Sequence, residues 1–341
     1  MTARSWLLRA LAAVLPAILE AAPAHAQTKT GTTFGAFTMI EPGARGAGMG
    51  NAGVSIADGL QSVYFNPAAI GHLEKWELQF SHAAWLADIR YDYVGAAIPL
   101  GGHGSAFASL TSLGSGDIDV RTVAQPLGTG ERYSVSDVAI GLGYGRQISE
   151  RFSAGLRVNW LQESIWNSSA SAFTFDIGTL YRVSPTGVHI GASLINFGTN
   201  ASFSGRDLNI TYDQDPTRYG DNGTLPGEKS TGAYPVPILF RVGMAYPVRF
   251  GEDVKVWTAL DAYHPSDNTE SLSGGAEAIW RDAFSLRAGY QNLFLQDSDL
   301  GLTLGAGFHG RLDTFAFSAD YAWADHLRLE GTHRFTLGIT F

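Results

Sequence analysis

Three sets of residues have types and spacings that could do chemistry. The run PGARGAGMG over positions 42–50 could cradle a phosphate on its backbone amides. Asp261 and His264 could share a proton near one strand end, as part of a hydrolase site. Asp213, Asp215 and Asp221 could hold a calcium ion. Each set falls short of its chemistry. A triphosphate-binding loop ends in Gly-Lys-Ser/Thr, and a dinucleotide loop needs GxGxxG after a buried strand. Here Gly50 is followed by Asn51 and Ala52. The aspartates lack the order and closing glutamate of an EF-hand. The nine histidines are scattered, with no HExxH or GxSxG element. The expectation is a protein without catalysis, metal or cofactor, in which Gly43, Gly46, Gly48 and Gly50 serve close backbone packing.

What positions such a segment is read from the whole chain. There is no cysteine among 341 residues, which excludes disulfides, thiolate-held metals and thiol catalysis. A net charge of −9 without a basic stripe argues against nucleic acid as a partner. Residues 1–26 carry Arg4 and Arg9, an apolar core and Ala24-His25-Ala26, the parts of a cleavable export signal. The apolar core is short for a membrane anchor, which needs roughly 20 residues.

From residue 75 onward the side chains alternate in steps of two. Fourteen such runs are expected, at 75–85, 88–100, 104–114, 132–147, 151–165, 169–183, 187–198, 235–249, 252–264, 271–281, 284–293, 299–309, 312–324 and 328–341. Each is long enough for a tilted strand to cross a bilayer. In 169–183, Phe173, Phe175, Ile177 and Tyr181 oppose Asp176 and Arg182. The same rule turns Arg90, Asp92, Arg157, Asp261, Glu277 and Arg287 toward a lumen. An Arg or Lys facing lipid at the bilayer midplane costs roughly 2–4 kcal/mol, and a one-residue slip would invert every face. Trp76, Tyr144, Tyr181, Tyr246 and Trp280 fit an interfacial girdle. Connections alternate between short and long, with 115–131 and 199–234 on the long side. The terminal strand HRFTLGITF ends on Phe341, which fits an insertion signal for the barrel-assembly machinery. A soluble sandwich shares the alternation but explains neither the loop parity nor that terminal residue. The expected fold is all-β: a 14-stranded antiparallel transmembrane barrel over 75–341, with 27–74 as a hatch in its lumen.

Within 27–74, SIADGLQSVYFNPAAI reads as a short helix followed by a turn at Asn66-Pro67, where proline fixes φ. The elements GARGAGMGNA, with Gly43, Ala44, Arg45, Gly46, Gly48, Met49 and Gly50, and Asn66-Pro67-Ala68 resemble the N-terminal part of the PorV/PorQ outer-membrane proteins. That family is similar in fold to the FadL long-chain fatty-acid channels. The resemblance is strongest over residues 40–101; NPAAI stands where the family usually has NPAGL.

The resemblance implies an outer-membrane protein that binds secreted cargo or components of a type IX secretion system. The alternative is a FadL-like channel for hydrophobic small molecules. The mixed charges expected in the lumen favour the protein-binding role. Tyr212 and Tyr219 in the segment 199–234 are the expected partner contacts. The implied partners are outer-membrane lipid, the barrel-assembly machinery and either secreted protein cargo with secretion-complex subunits or a hydrophobic ligand.

Overall fold

The computed structural model of the chain describes residues 30–184, 187–220, 222–295 and 298–341. The expected export signal, the first hatch residues 27–29 and Asp221 lie outside the described residues. The wall consists of fourteen strands, each hydrogen-bonded antiparallel to its neighbour in sequence. They are β1 (Glu77–Ala84), β2 (Arg90–Pro99), β3 (Ser105–Gly114), β4 (Val135–Gln147), β5 (Phe152–Ile165), β6 (Ser168–Arg182) and β7 (His189–Gly198). The second half is β8 (Leu239–Phe250), β9 (Val254–Pro265), β10 (Ser271–Trp280), β11 (Phe284–Leu293), β12 (Leu300–Leu312), β13 (Phe315–His326) and β14 (Thr332–Thr340). Strand β14 pairs back onto β1, with Phe80 opposite Leu337. The sheet closes on itself, so no strand edge is left unpaired. Among the described residues no helix is long and apolar enough to cross a membrane.

Alternation decides the two faces of this wall. Phe173, Phe175 and Ile177 of β6 are exposed outward, while Thr174, Asp176 and Gly178 are buried inward. Leu286, Phe335 and Leu337 repeat the outward pattern. Trp76, Tyr181, Tyr246 and Trp280 are exposed at the end where the wall strands begin and finish. At that terminal end the connections are tight, as between Phe250 and Val254. At the opposite, loop end the segments 115–134 and 199–238 fold into small hairpins of their own, pairing Ile118–Asp119 with Arg132–Tyr133 and Asn209–Tyr212 with Leu225–Glu228.

Two expectations about local structure need correction. Arg90 and Asp92 do not face the lumen. Their strand turns Tyr91 and Tyr93 inward, 2% and 3% exposed, and Asp92 outward, where it meets His82 of β1 at 2.7 Å. The inward rings are favoured because the hatch offers them partners: the Tyr91 hydroxyl donates to the Ile40 carbonyl at 3.1 Å. The outward charges lie near the loop end of β2, where a charge costs less than at the midplane. In the hatch, the expected helix over 55–65 is only a 3-10 turn at Gly59–Ser62, and the one α-helical turn among the described hatch residues is Ala44–Gly48, within the glycine run.

Candidate functional site: the hatch and the two ends of the lumen

The hatch runs the length of the lumen. At the loop end the Thr33 hydroxyl donates to Asp267 at 3.4 Å, and the Phe34 amide donates to the Pro235 carbonyl at 2.9 Å. At the terminal end the chain leaves through the turn Pro67–His72 and enters β1. Between these points nearly every residue from Ala44 to Gly50 is buried.

Glycine is required where hatch and wall backbones touch. A Cβ on Gly48 would stand 3.1 Å from the Cα of Gly305 in β12. One on Gly50, whose φ is +67°, would stand 2.5 Å from the Gly274 carbonyl of β10. Wall hydroxyls also accept from hatch amides at both ends of this helical turn. The Ala44 amide donates to Thr336 Oγ1 and the Gly50 amide to Thr303 Oγ1, each at 2.9 Å.

Asn66 makes the second anchor. Its Oδ1 accepts from the Ala68 amide at 3.0 Å, and its Nδ2 donates to the carbonyls of Val54 and Thr179 at 2.8 and 2.9 Å. Pro67 occupies the first position of the turn, where its missing N–H costs nothing, and Ala68 is fully buried behind it. His72 closes the turn against Ser153, 2.7 Å away. Burial, helped by the nearby Arg182 charge, lowers the His72 pKa to about 4.

A chain of charges crosses the lumen. Arg45 of the hatch contacts Asp58, and its Nη2 lies 2.5 Å from Glu277 of β10. Arg287 of β11 donates to Glu277 at 2.7 Å and to Asp320 of β13 at 2.7 Å. The side chains of Glu277, Arg287 and Asp320 are at most 1% exposed. A second pair joins Glu41 of the hatch to Arg334 of β14. Arg241 of β8 lies over the rings of Tyr64, Phe65 and Tyr263, with centroids at 4.8, 5.4 and 5.5 Å.

The remaining sequence-selected residues separate into different places. Asp261 accepts the amides of Gly53 and Val54 at 2.7 and 2.9 Å. His264 sits on the opposite face of β9 and pairs with Glu270 at 2.9 Å, so the two cannot share a proton. Arg157 donates to Ser109 at 2.9 Å, with Asp176 4.0 Å away. Met49 is buried against Trp257 and Ala259 in one apolar cluster. Tyr212 and Tyr219 are exposed in the loop-end segment. Asp213 and Asp215 accept amides of their own turn. The Phe341 amide donates to the Trp76 carbonyl at 3.0 Å across the closing seam. Alternation places Arg241, Asp320 and Arg334 on the inward face as well, but nothing in the sequence signals that Arg334 meets Glu41 or that Asp58 meets Arg45.

Three spaces flank this packing. A void of about 30 Å³ lies inside, lined by Phe37, Tyr64, Tyr93, Arg157, Asn159 and Asp176 among others. A polar vestibule of about 580 Å³ opens at the terminal end between hatch residues Asp58 and Gln61 and the wall residues Gln79, His309 and Ser318. At the loop end an apolar cleft of about 760 Å³ is lined by Ile118, Val120, Tyr133, Ile165, Trp166, Phe203 and Leu208 among others.

This closed fourteen-stranded wall with its N-terminal segment inside is similar in fold to solved channels and transporters. A Pseudomonas aeruginosa FadL homologue is 11% identical over 88% of this chain and 98% of its own, with a TM-score of 0.54. The CymD monoaromatic hydrocarbon channel is 12% identical over 88% and 97%, with a TM-score of 0.54. The toluene transporter TodX of P. putida is 14% identical over 88% and 98%, with a TM-score of 0.56. No family model matches the chain, and no curated protein matches it in sequence. The likeness establishes a FadL-like barrel fold.

Proposed function

We propose that this protein is a channel of the bacterial outer membrane for hydrophobic small molecules, which it takes up at the loop end. The observation that carries this reading is the 760 Å³ apolar cleft, where Trp166, Tyr133 and Phe203 converge between the two long loop segments. Concave, mostly apolar sites with a few polar groups are where such ligands bind. The fold is that of barrels described as a toluene transporter and a monoaromatic hydrocarbon channel. In this reading the loop end faces the medium, the terminal end faces the periplasm, and the outward apolar rows meet lipid.

The test is uptake of radiolabelled toluene by cells carrying the protein, compared with cells carrying Trp166→Ala and with an empty vector. Uptake above the vector that falls in the variant supports the reading. Uptake no faster than the vector rejects it.

A second reading follows from the filling of the lumen. The hatch fills the lumen beside a void of about 30 Å³ that Arg157 and Asp176 help to line, and it is tied to the wall by buried ion pairs, which suits a plugged scaffold for secreted cargo or secretion-complex subunits of the PorV type. Tyr212 and Tyr219 would be its exposed contacts. Co-purification of cargo tails from native membranes, with no hydrophobe uptake, would favour this reading.

A further inference from the structure

The polar vestibule at the terminal end is a blind pocket with a sorted lining. Two register rows build its wall. Glu77 of β1, Thr340 of β14, Ala316 of β13 and Arg311 of β12 stand opposite one another in turn, and all four line the vestibule. One row deeper, Gln79, Gly338, Ser318 and His309 repeat the order. The next row inward holds Ser81, Thr336 and Asp320, each at most 5% exposed, and Arg287 pairs with Asp320 there. A solute entering the vestibule therefore stops at the buried charge chain.

The β1 side of the pocket consists of acceptors. Glu77 accepts the Leu60 amide at 2.7 Å through Oε2. Asp58, which Arg45 contacts, keeps its side chain 55% exposed. Gln79 is 2% exposed and its Oε1 has no hydrogen-bond partner; the Oε1 of Gln61 has none either. A buried acceptor left without a donor is costly, so this side asks for N–H groups. The β12 side consists of donors. Arg311 is exposed and forms no ion pair among the described residues, and the His309 imidazole lies one row deeper. Arg281 is already held by Asp253 at 3.0 Å and lies over Trp280, while Asp282 sits in the turn before β11, outside both rows.

We infer that the vestibule is a binding site for a short peptide in its zwitterionic form, with the ammonium among Glu77, Asp58, Gln61 and Gln79 and the carboxylate at Arg311 and His309. Glu77 and Arg311 are three strand spacings apart, roughly 14 Å along the wall. An extended tripeptide spans roughly 10 Å, and the two charged side chains reach across the remainder. Arginine matches a carboxylate through two parallel N–H groups. Between the ends the floor is small, and a Cβ on Gly338 would stand 2.5 Å from Ser318 Oγ, so glycine keeps it open. The hydroxyls of Thr340 and Ser318 are available to the peptide groups between. The volume of about 580 Å³ suits a ligand of this size. The vestibule shares no residue with the loop-end cleft, so the site stands whether or not the protein carries hydrophobes.

The test is titration calorimetry on the purified protein in detergent, with trialanine as the probe. Trialanine is expected to bind saturably at millimolar concentration. It should bind at least tenfold more tightly than N-acetyl-trialanine or trialanine amide, each of which lacks one charge. Arg311→Gln should make the amide and the free acid bind alike, and Glu77→Gln should do the same for the acetylated and free amino forms. Absence of saturable heat with trialanine overturns the site, as does equal binding of the peptide blocked at both ends. Should either variant fail to fold, the blocked peptides titrated into the unmodified protein decide alone.

Discussion

Arg45 of the hatch and Glu277 of the wall meet through two donors: Nε reaches both carboxylate oxygens at 3.1 Å, and Nη2 reaches one at 2.5 Å. They are 232 positions apart in the chain, and the same carboxylate also accepts from Arg287. One buried acid therefore holds a plug residue and a wall residue together. Removing one partner of a buried ion pair costs roughly 3–5 kcal/mol, because it strands the other charge. Glu277→Gln is expected to destabilise the folded protein on that order. Adding Arg45→Met should recover part of the loss, since one stranded guanidinium is then gone. Urea unfolding in lipid vesicles, followed by tryptophan fluorescence, measures both.

A bulky residue at Gly48 should separate the hatch from the wall without dismantling the barrel. Gly48→Leu would drive its side chain toward the Gly305 backbone, which cannot yield as a side-chain tip can. The expected result is a folded barrel whose hatch is cut by protease and whose conductance in a planar bilayer rises well above that of the unmodified protein. Equal conductance and protease resistance would contradict the backbone-contact account.

Acidification should loosen the Asn66–Leu73 end of the hatch. The His72 pKa is lowered to about 4 from its ordinary 6.5, so the folded state disfavours the proton that the unfolded state accepts. The associated stability is complete above pH 6.5 and is lost as pH falls through 4. The protection of the Ala69–Leu73 amides against hydrogen exchange, taken relative to the intrinsic rate at each pH, should fall over that window. His72→Asn should abolish this loss of protection.

Cysteine scanning can separate the outward and inward rows. Asp92→Cys, beside His82 on the outer face near the loop end, is expected to react with a membrane-impermeant maleimide on intact cells. Glu277→Cys should stay unreactive until the protein is unfolded. Neutralising Asp92 should change stability by no more than about 1 kcal/mol, as for other exposed pairs. Leu286→Arg, exposed on the outward face of β11, should cost roughly 2–4 kcal/mol if it meets the bilayer midplane.

The wall was legible in the sequence because one rule acts locally: a charge facing lipid is expensive, so Arg157, Asp261, Glu277 and Arg287 could be turned inward from their neighbours alone. The rule failed at Arg90 and Asp92. Their strand has aromatic residues in the inward row, and tyrosines can face a lumen when a plug supplies carbonyls for their hydroxyls. That plug contact depends on Ile40, 51 positions away from Tyr91, and no local pattern encodes it. The hatch was visible as a break in periodicity near residue 75, and its glycines as a sign of close approach. Which wall glycines they meet was not, because Gly48 and Gly305 belong together only after the cylinder has formed. The apolar mouth was missed for a similar reason. Phe34, Leu161 and Val236 come from three distant segments, and each reads singly as an ordinary hydrophobic residue.

The hatch comes in beside Asp267 at one rim and goes out past Ser153 near the other, inside a cylinder whose first and last strands are zipped together. A polypeptide in this arrangement is a cord through a ring fashioned from the same cord. Either the ring is fastened around a cord already lying in place, or the leading end is hauled through the finished hole. The Glu77–Ala84 and Thr332–Thr340 zipper is thus the clasp whose timing decides between these two orders of biogenesis.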